Sequence, residues 1–200
     1  MRVFVLRARR GPTASDHVDG SFRAPGHFEI VANSISNALF ISNDVRRDVV
    51  FHVALEGPPD PPKIVTFDSR NLTYFGGFDE TSVAVVVKKA LDASARLGKD
   101  EWAEADSGVR VARMSFEHLV RELAESAPLY VLSRRGTDIR EVKLAENGCY
   151  LFSDHIPMQK KSFHLLKRLR AEKISLGPVM LFAAHCIILV HNELDRRQGM

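Results

Sequence analysis

The apolar residues of the first half of the chain predict short strands separated by a helix and by loops. Residues 3–6 form a continuous apolar run, and residues 48–55 repeat it with valine and phenylalanine, so both are typical of buried strands. Between them, residues 30–42 carry apolar side chains at helical spacing. Residues 11–27 have no periodicity and predict a loop, and the proline-rich residues 57–62 predict a turn.

The middle of the chain is ambiguous by residue preference, and periodicity decides it. Residues 64–67 and 72–75 predict a short hairpin. Four valines favour a strand in residues 82–97, but the apolar positions recur at i, i+3 and i+4, which predicts a helix. Residues 109–111 predict a short strand, and Ser115 is a candidate N-cap for the helix that follows.

The last third of the chain alternates short apolar strands with helices. The pattern predicts strands at residues 129–132, 149–152 and 173–176, and helices at residues 162–170 and 184–197. Continuously apolar strands of this kind predict an α/β fold whose parallel sheet is covered on both faces. Ligands bind such sheets beyond the carboxyl ends of the strands, so the loops after these three strands are candidate site loops.

Composition restricts the function without identifying it. The chain has 200 residues, which predicts a single domain, and a net charge of +3, which permits a polyanionic partner without requiring one. Its two cysteines form no CxxC pair, so we expect no metal site. The longest apolar stretch, residues 178–190, falls short of the roughly 20 residues of a membrane span. Without a signal peptide pattern, we expect a cytoplasmic protein.

The segment at residues 175–181 is the most unusual local feature of the sequence. Gly177 and Pro178 follow a strand and force a turn that exposes backbone N–H and C=O groups. Leucine and methionine side chains flank these groups, which suits an adenine. An ordinary turn before a buried helix is the alternative. Nearby, Cys186 begins an apolar run, which favours a core or pocket residue over a nucleophile.

Charged residues give three weaker hypotheses. Residues 46–48 form an Arg-Arg-Asp triplet that can hold phosphate and accept a proton, although a solvated helix end explains it as well. Asp154 and His155 can be an orienting residue and a base, but adjacent side chains seldom face each other. Basic residues cluster around residues 7–10, 134–135 and 160–173, which favours RNA, with a merely solvated surface as the alternative.

Three segments carry a resemblance to the tRNA (pseudouridine-54) N1-methyltransferase family. The longest is residues 174–195, ISLGPVMLFAAHCIILVHNELD, and the others are residues 41–49, ISNDVRRDV, and residues 57–62, GPPDPP. The similarity runs nearly end to end, from Arg2 to Arg197. The combination is specific to the family, whereas any single segment is not.

The resemblance implies a SPOUT-type α/β fold, in which a parallel sheet is flanked by helices and the C-terminal part forms a deep trefoil knot. It also implies a homodimer, a tRNA substrate and S-adenosylmethionine as the methyl donor. The cofactor-binding positions of the family correspond to Leu132, Ser153, Leu176, Gly177, Pro178, Val179, Met180, Leu181 and Cys186. All but Cys186 lie in or beside the three candidate site loops. The family is expected to carry glycine where this chain has Ser153 and Pro157.

The implied reaction requires a proton acceptor, because N1 of pseudouridine loses its proton during methylation. Methylation of nitrogen needs no covalent cysteine, so we expect Cys186 to line the pocket without attacking. We predict that Asp48 is the base and that Arg46 and Arg47 hold substrate, since a related ribosomal-RNA pseudouridine methyltransferase family carries a similar Arg-x-Asp element. Asp48 begins a strand whereas the site loops end strands, so its approach to the cofactor requires a strand reversal or the partner subunit.

Other functions stay open from the sequence. One is a methyltransferase of the same fold that acts on a different RNA nucleotide. Another is a non-catalytic RNA-binding protein that keeps the knotted fold. A cysteine hydrolase is a more distant alternative.

Overall fold

The computed structural model describes residues 1–18, 27–42, 44–73 and 76–199. Within these residues the strands are β1 (Arg2–Ala8), β2 (Phe40–Ile41), β3 (Asp44–Val45), β4 (Val49–Leu55), β5 (Lys63–Asp68), β6 (Trp102–Asp106), β7 (Val109–Ala112), β8 (Leu129–Asp138), β9 (Cys149–Ser153) and β10 (Glu172–Ser175). The α-helices are α1 (Phe28–Leu39), α2 (Glu80–Ala93), α3 (Phe116–Ser126), α4 (Lys160–Arg168) and α5 (Ala183–Gln198).

Eight of these strands form one sheet in the order β10-β8-β9-β1-β4-β5-β7-β6. The first five are parallel, and β5, β7 and β6 continue the sheet antiparallel. The predicted α/β class with a parallel sheet flanked by helices is therefore confirmed, and an antiparallel extension is added to the parallel strands. The reason for this extension is the short connection at residues 56–62, which is too short for a crossover and turns the chain back as a hairpin.

In the middle of the chain one predicted hairpin is wrong and one strand was not predicted. Residues 64–67 lie in β5, but β5 pairs with β4 and β7 and not with residues 72–75. Leu72 has no strand conformation, and residues 74–75 lie outside the described residues. The edge strand β6 was missed, because its sequence WAEAD is rich in charge and its pairing with β7 is not visible as an apolar run.

The helices cover both faces of the sheet, as the sequence pattern predicts. Helices α1, α2 and α5 share a core with Phe4 and Leu6 of β1, whereas α3 and α4 share the opposite core with Val5. The valine-rich segment is helix α2, and its apolar positions Val83, Val86 and Val87 are buried. Ser115 caps α3 by accepting a hydrogen bond from the backbone N–H of His118. Both predictions are confirmed.

Strand β8 has an irregular path that shapes the site edge of the sheet. Its pairing with β10 jumps between Lys173, opposite Val131, and Ile174, opposite Thr137, so residues 132–136 bulge out of the ladder. At Gly136 a side chain is excluded, because an added Cβ would lie 2.5 Å from the backbone of Ile174. Residues 133–136 were expected to be a loop, and the strand continues through them instead. The trefoil knot stays a prediction.

Candidate functional site

A cavity of about 570 Å³ lies beyond the carboxyl ends of β9 and β10, beside the bulge of β8. The carboxyl ends of β9 and β10 and residues 132–134 of the β8 bulge form its floor, at the side of the sheet where ligand sites of such folds lie. Its walls come from the loops after β9 and β10, with Ile30 of α1, Phe163 of α4 and Cys186 of α5.

Eight of the nine predicted cofactor positions line this single cavity. They are Leu132, Ser153, Leu176, Gly177, Val179, Met180, Leu181 and Cys186. Pro178 does not line it. Pro157, where the family is expected to carry glycine, is part of the wall. Their role in binding a cofactor stays a prediction, but the folded chain brings them together from distant parts of the sequence.

The loop after β10 presents backbone groups between apolar side chains. Ser175 stabilises its turn, since the Ser175 hydroxyl accepts a hydrogen bond from the Gly177 N–H at 3.2 Å. Gly177 has a φ of 121°, a conformation that side-chain-bearing residues rarely adopt. The side chains of Val179 and Met180 are 69% and 73% exposed, so they border the cavity without filling it.

Asp154 fixes the loop after β9 through three hydrogen bonds. Its carboxylate accepts from the backbone N–H of Arg9 and of Ile156, each at 2.8 Å. Its own N–H donates to the carbonyl oxygen of Arg7 at 3.1 Å, which extends the pairing between β1 and β9. Both carboxylate oxygens are thus used for loop geometry. Asp154 does not orient the adjacent His155, so the proposed pair of neighbouring residues is not formed.

Cys186 has the properties of a wall residue. Burial raises the pKa of its thiol, so the neutral form predominates at neutral pH. Its Sγ lies 3.9 Å from the carbonyl oxygen of Leu181, and no base among the described side chains contacts it. A thiol in this state is a poor nucleophile. Cys149 is buried within β9, and burial raises its pKa as well.

The predicted catalytic triplet lies at the opposite ends of the strands from the cavity, just before β4 and beside the start of β1. Asp48 contacts the buried Arg2, with 2.9 Å between its Oδ2 and the Nε of Arg2, and the Nε–H makes no well-aligned hydrogen bond. Arg2 and Arg46 both pair with Asp195, near the end of α5, at 2.6 and 2.8 Å. Although burial opposes it, these hydrogen bonds hold the pKa of Asp195 below its ordinary value.

The geometry of α5 gives the separation between the triplet and the cavity. Cys186 at the start of α5 lines the cavity, and Asp195, nine residues later, contacts Arg46. At 1.5 Å per residue this is roughly 14 Å along the helix. Arg47 points elsewhere, to the carbonyl oxygens of Ser69 and Leu72. Within one chain, Arg46, Arg47 and Asp48 therefore do not reach the cavity.

The wall residues that sequence reasoning missed include Ile30 and Phe163, because tertiary packing alone brings α1 and α4 to the cavity. The placement of α4 also gives the cavity a cationic border. This border consists of exposed basic side chains that pair with none of the described carboxylates, on β8, on α4 and from the end of α4 to the start of β10. They are Arg134, Arg135, Lys160, Lys161, Lys167, Arg168, Arg170 and Lys173. Among them, Arg134 is part of the cavity wall, and the Nζ of Lys173 lies 5.4 Å from the ring centre of Phe163.

The described residues contain neither a cluster of metal ligands nor a membrane-spanning helix. No three His, Cys, Asp or Glu side chains of these residues are grouped closely enough to hold a metal ion. None of their helices is long and apolar enough to cross a membrane.

Two solved structures have a fold similar to that of this chain. The structure titled Archaeoglobus fulgidus Nep1 bound to S-adenosylhomocysteine aligns with a TM-score of 0.61 and 12% identity, covering 88% of this chain and 73% of that one. A structure titled "Structural insights into the 2-OH methylation of C/U34 on tRNA" aligns with a TM-score of 0.52 and 13% identity. The alignment covers 100% of this chain and 92% of that one. At these identities the likeness concerns the fold alone.

Sequence comparison gives much closer relatives. A protein of Vibrio parahaemolyticus named "Putative pseudouridine methyltransferase" is 47% identical, covering 99% of this chain and 100% of its own. Proteins of the same name from Shewanella baltica and Photobacterium profundum are each 46% identical. The alignments cover 99% and 98% of this chain and 100% and 98% of those proteins. A family model described as "Putative SAM-dependent RNA methyltransferase" matches residues 1–199. The chain therefore belongs to this family of S-adenosylmethionine-dependent RNA methyltransferases.

Proposed function

We propose that the chain methylates N1 of pseudouridine at position 54 of tRNA and binds S-adenosylmethionine in the cavity beyond β9 and β10. The observation that carries this proposal is the convergence of eight predicted cofactor positions on one cavity, although they come from three strand ends and a helix. The names of the relatives that match nearly the whole chain support pseudouridine as the target nucleoside.

The cavity fits the cofactor in size and chemistry. Its volume of about 570 Å³ falls within the range of roughly 300–1,000 Å³ that is usual for cofactor pockets. Leu132, Met180 and Leu181 supply apolar wall, and the turn at Gly177 supplies backbone polar groups. When bound, the cofactor supplies an electrophilic methyl group on a sulfonium. The chain itself holds the donor, excludes water and aligns the nucleophilic nitrogen.

The cationic border supplies the contacts that a tRNA backbone requires. Helix α4 buries Ser162, Leu165 and Leu166 against the sheet, which leaves Lys160, Lys161, Lys167 and Arg168 in solvent. Cations without carboxylate partners are free to contact phosphates and to release their counterions. Because Phe163 of the same helix lines the cavity, RNA bound along α4 lies next to the methyl donor.

A catalytic role for Arg46, Arg47 and Asp48 depends on a second copy of the chain. The predicted homodimer is supported by the apolar side chains exposed near the cavity: Val179, Met180, Phe182, Ile188 and Leu189. Exposed apolar surface of this extent is typical of protein interfaces. Within one chain the triplet does not reach the cavity, but in such a dimer the triplet of one subunit can approach the cavity of the other.

The experiment is methyl transfer to tRNA transcripts that differ only at position 54, one with pseudouridine and one with uridine. We expect 1-methylpseudouridine, identified by nucleoside mass spectrometry, from the first transcript and no product from the second. Methylation of another nucleoside would replace the position 54 assignment and leave the cofactor site standing. Absence of S-adenosylmethionine binding in calorimetry would refute the cofactor site itself.

A further inference from the structure

The start of α1 lies at the rim of the cavity, where it brings together two histidines and a carboxylate. Ile30 of α1 and His155 of the loop after β9 both line the cavity. The ring of His27, the residue that precedes α1, meets the ring of His155 edge-on, with 4.3 Å between the centroids. The histidine pair therefore lies beside the cavity, beyond the carboxyl ends of the strands.

His27 is paired with a carboxylate that determines which of its ring nitrogens is free. Its Nδ1 lies 2.9 Å from Oε1 of Glu29, which is 20% exposed and held at the start of α1. A carboxylate accepts but does not donate, so Nδ1 carries the proton of a neutral ring and Nε2 keeps its lone pair. A base with its orienting carboxylate has this arrangement.

The backbone at His27 supports a functional role for this geometry. Its φ and ψ are 54° and 48°, the left-handed region that residues other than glycine rarely adopt. Such strain is found preferentially at functional sites, where the surrounding structure maintains it. Here it places the imidazole between Glu29 and His155.

We propose that His27, oriented by Glu29, accepts the N1 proton of the target pseudouridine. The proposal rests on the function proposed above. The N1–H bond breaks and its proton moves to Nε2 of His27, while the N1 electron pair forms a bond to the methyl carbon. The electron pair of the breaking carbon–sulfur bond stays on sulfur. Glu29 stabilises the imidazolium that results, and water then removes the proton.

The titratable side chains that line the cavity are less suited to this role. Asp154 uses both carboxylate oxygens to hold its loop. The thiol of Cys186 is neutral, and Arg134 is a cation. His155 lines the cavity but has no carboxylate partner among the described residues, so its tautomer is not fixed. Asp48 can accept the same proton only from a partner subunit.

The test compares the rate of a single methyl transfer in His27→Ala, Glu29→Gln, His155→Ala and Asp48→Asn. His118→Gln is the matched control, because His118 also pairs with a carboxylate, Asp100, at 2.9 Å and lies away from the cavity. We expect His27→Ala to lose about 100-fold or more in rate, with unchanged affinity for S-adenosylmethionine. Added imidazole should restore part of that rate, which a structural defect would not allow.

Each alternative outcome is distinguishable. A His27→Ala rate within twofold of wild type, or a loss that imidazole does not restore, overturns the proposal. Greater loss and imidazole rescue in a His155→Ala variant would transfer the role to His155 and overturn it too. If the wild-type protein produces no 1-methylpseudouridine, the function proposed above fails before the variants are compared.

Discussion

Replacing Gly177 with alanine tests whether the loop after β10 binds the methyl donor in the conformation of the structure. At φ of 121°, alanine is strained, yet an added Cβ meets no atom within 4 Å. The effect is therefore conformational and involves no clash. Backbone strain of this kind costs about 1–3 kcal/mol. If the loop must keep this conformation to bind, the dissociation constant rises about 5- to 150-fold, since about 1.4 kcal/mol corresponds to a factor of ten.

The assay is titration calorimetry with S-adenosylmethionine, accompanied by a thermal unfolding curve. Gly76→Ala is the matched control, because Gly76 also has a positive φ, 88°, and open space at its Cβ, but does not line the cavity. We expect Gly177→Ala to weaken binding and Gly76→Ala to leave it unchanged. Wild-type affinity in Gly177→Ala, or equal loss in both variants, would refute the role of this loop.

Three further predictions concern charge. Burial lowers the pKa values of His52 and His191 from 6.5 to about 3, so only the unfolded chain binds these protons between those pH values, and stability falls as pH falls. Urea unfolding should show a loss of about 1.4 kcal/mol per pH unit for each histidine below pH 6.5, and His52→Gln should reduce the slope; a flat profile contradicts this. The double substitution of Lys167 and Arg168 by alanine should weaken tRNA binding. It should also reduce the slope of the logarithm of the binding constant against the logarithm of salt concentration by about one to two. The same double substitution at Lys88 and Lys89 of α2 should change neither quantity. Asp48→Asn should lower the free energy of unfolding by about 1–2 kcal/mol through its contact with Arg2, measured in urea, and unchanged stability would contradict that structural role.

The sequence predicted those parts of the fold that depend on local pattern. Helix α2 has strand-favouring valines, yet their helical spacing places Val83, Val86 and Val87 on one buried face. Burial of that face outweighs the weak intrinsic preference of valine for strands. The antiparallel part of the sheet was less predictable, because β5 pairs with β7 across the whole of α2 and the sequence of β6 contains no apolar run.

The position of the cavity was also predictable from local sequence pattern, whereas part of its rim was not. Ligand sites in parallel sheets lie at the carboxyl ends of strands, so short apolar runs ending at Leu132, Phe152 and Leu176 were enough to mark its floor. The rim at His27 and Ile30 was not marked, since no pattern in the sequence relates the start of α1 to a loop more than a hundred residues later. His155 was noticed, but for its neighbour Asp154 and not for its contact with His27.

In the Arg-Arg-Asp triplet, the position of each side chain in the fold determines whether its role is structural or catalytic. Arg2 is 3% exposed and needs anionic partners, which are Asp48, just before β4, and Asp195 of α5. The uncharged ring of His191 completes this cluster, accepting from Arg2 at its Nδ1 while its Nε2 donates to the carbonyl oxygen of Ala38. Removing one partner from a buried charge is costly, which is sufficient reason for a carboxylate at position 48. Loss of turnover in Asp48→Asn therefore indicates catalysis only if stability is unchanged, and loss in His27→Ala with imidazole rescue indicates it directly.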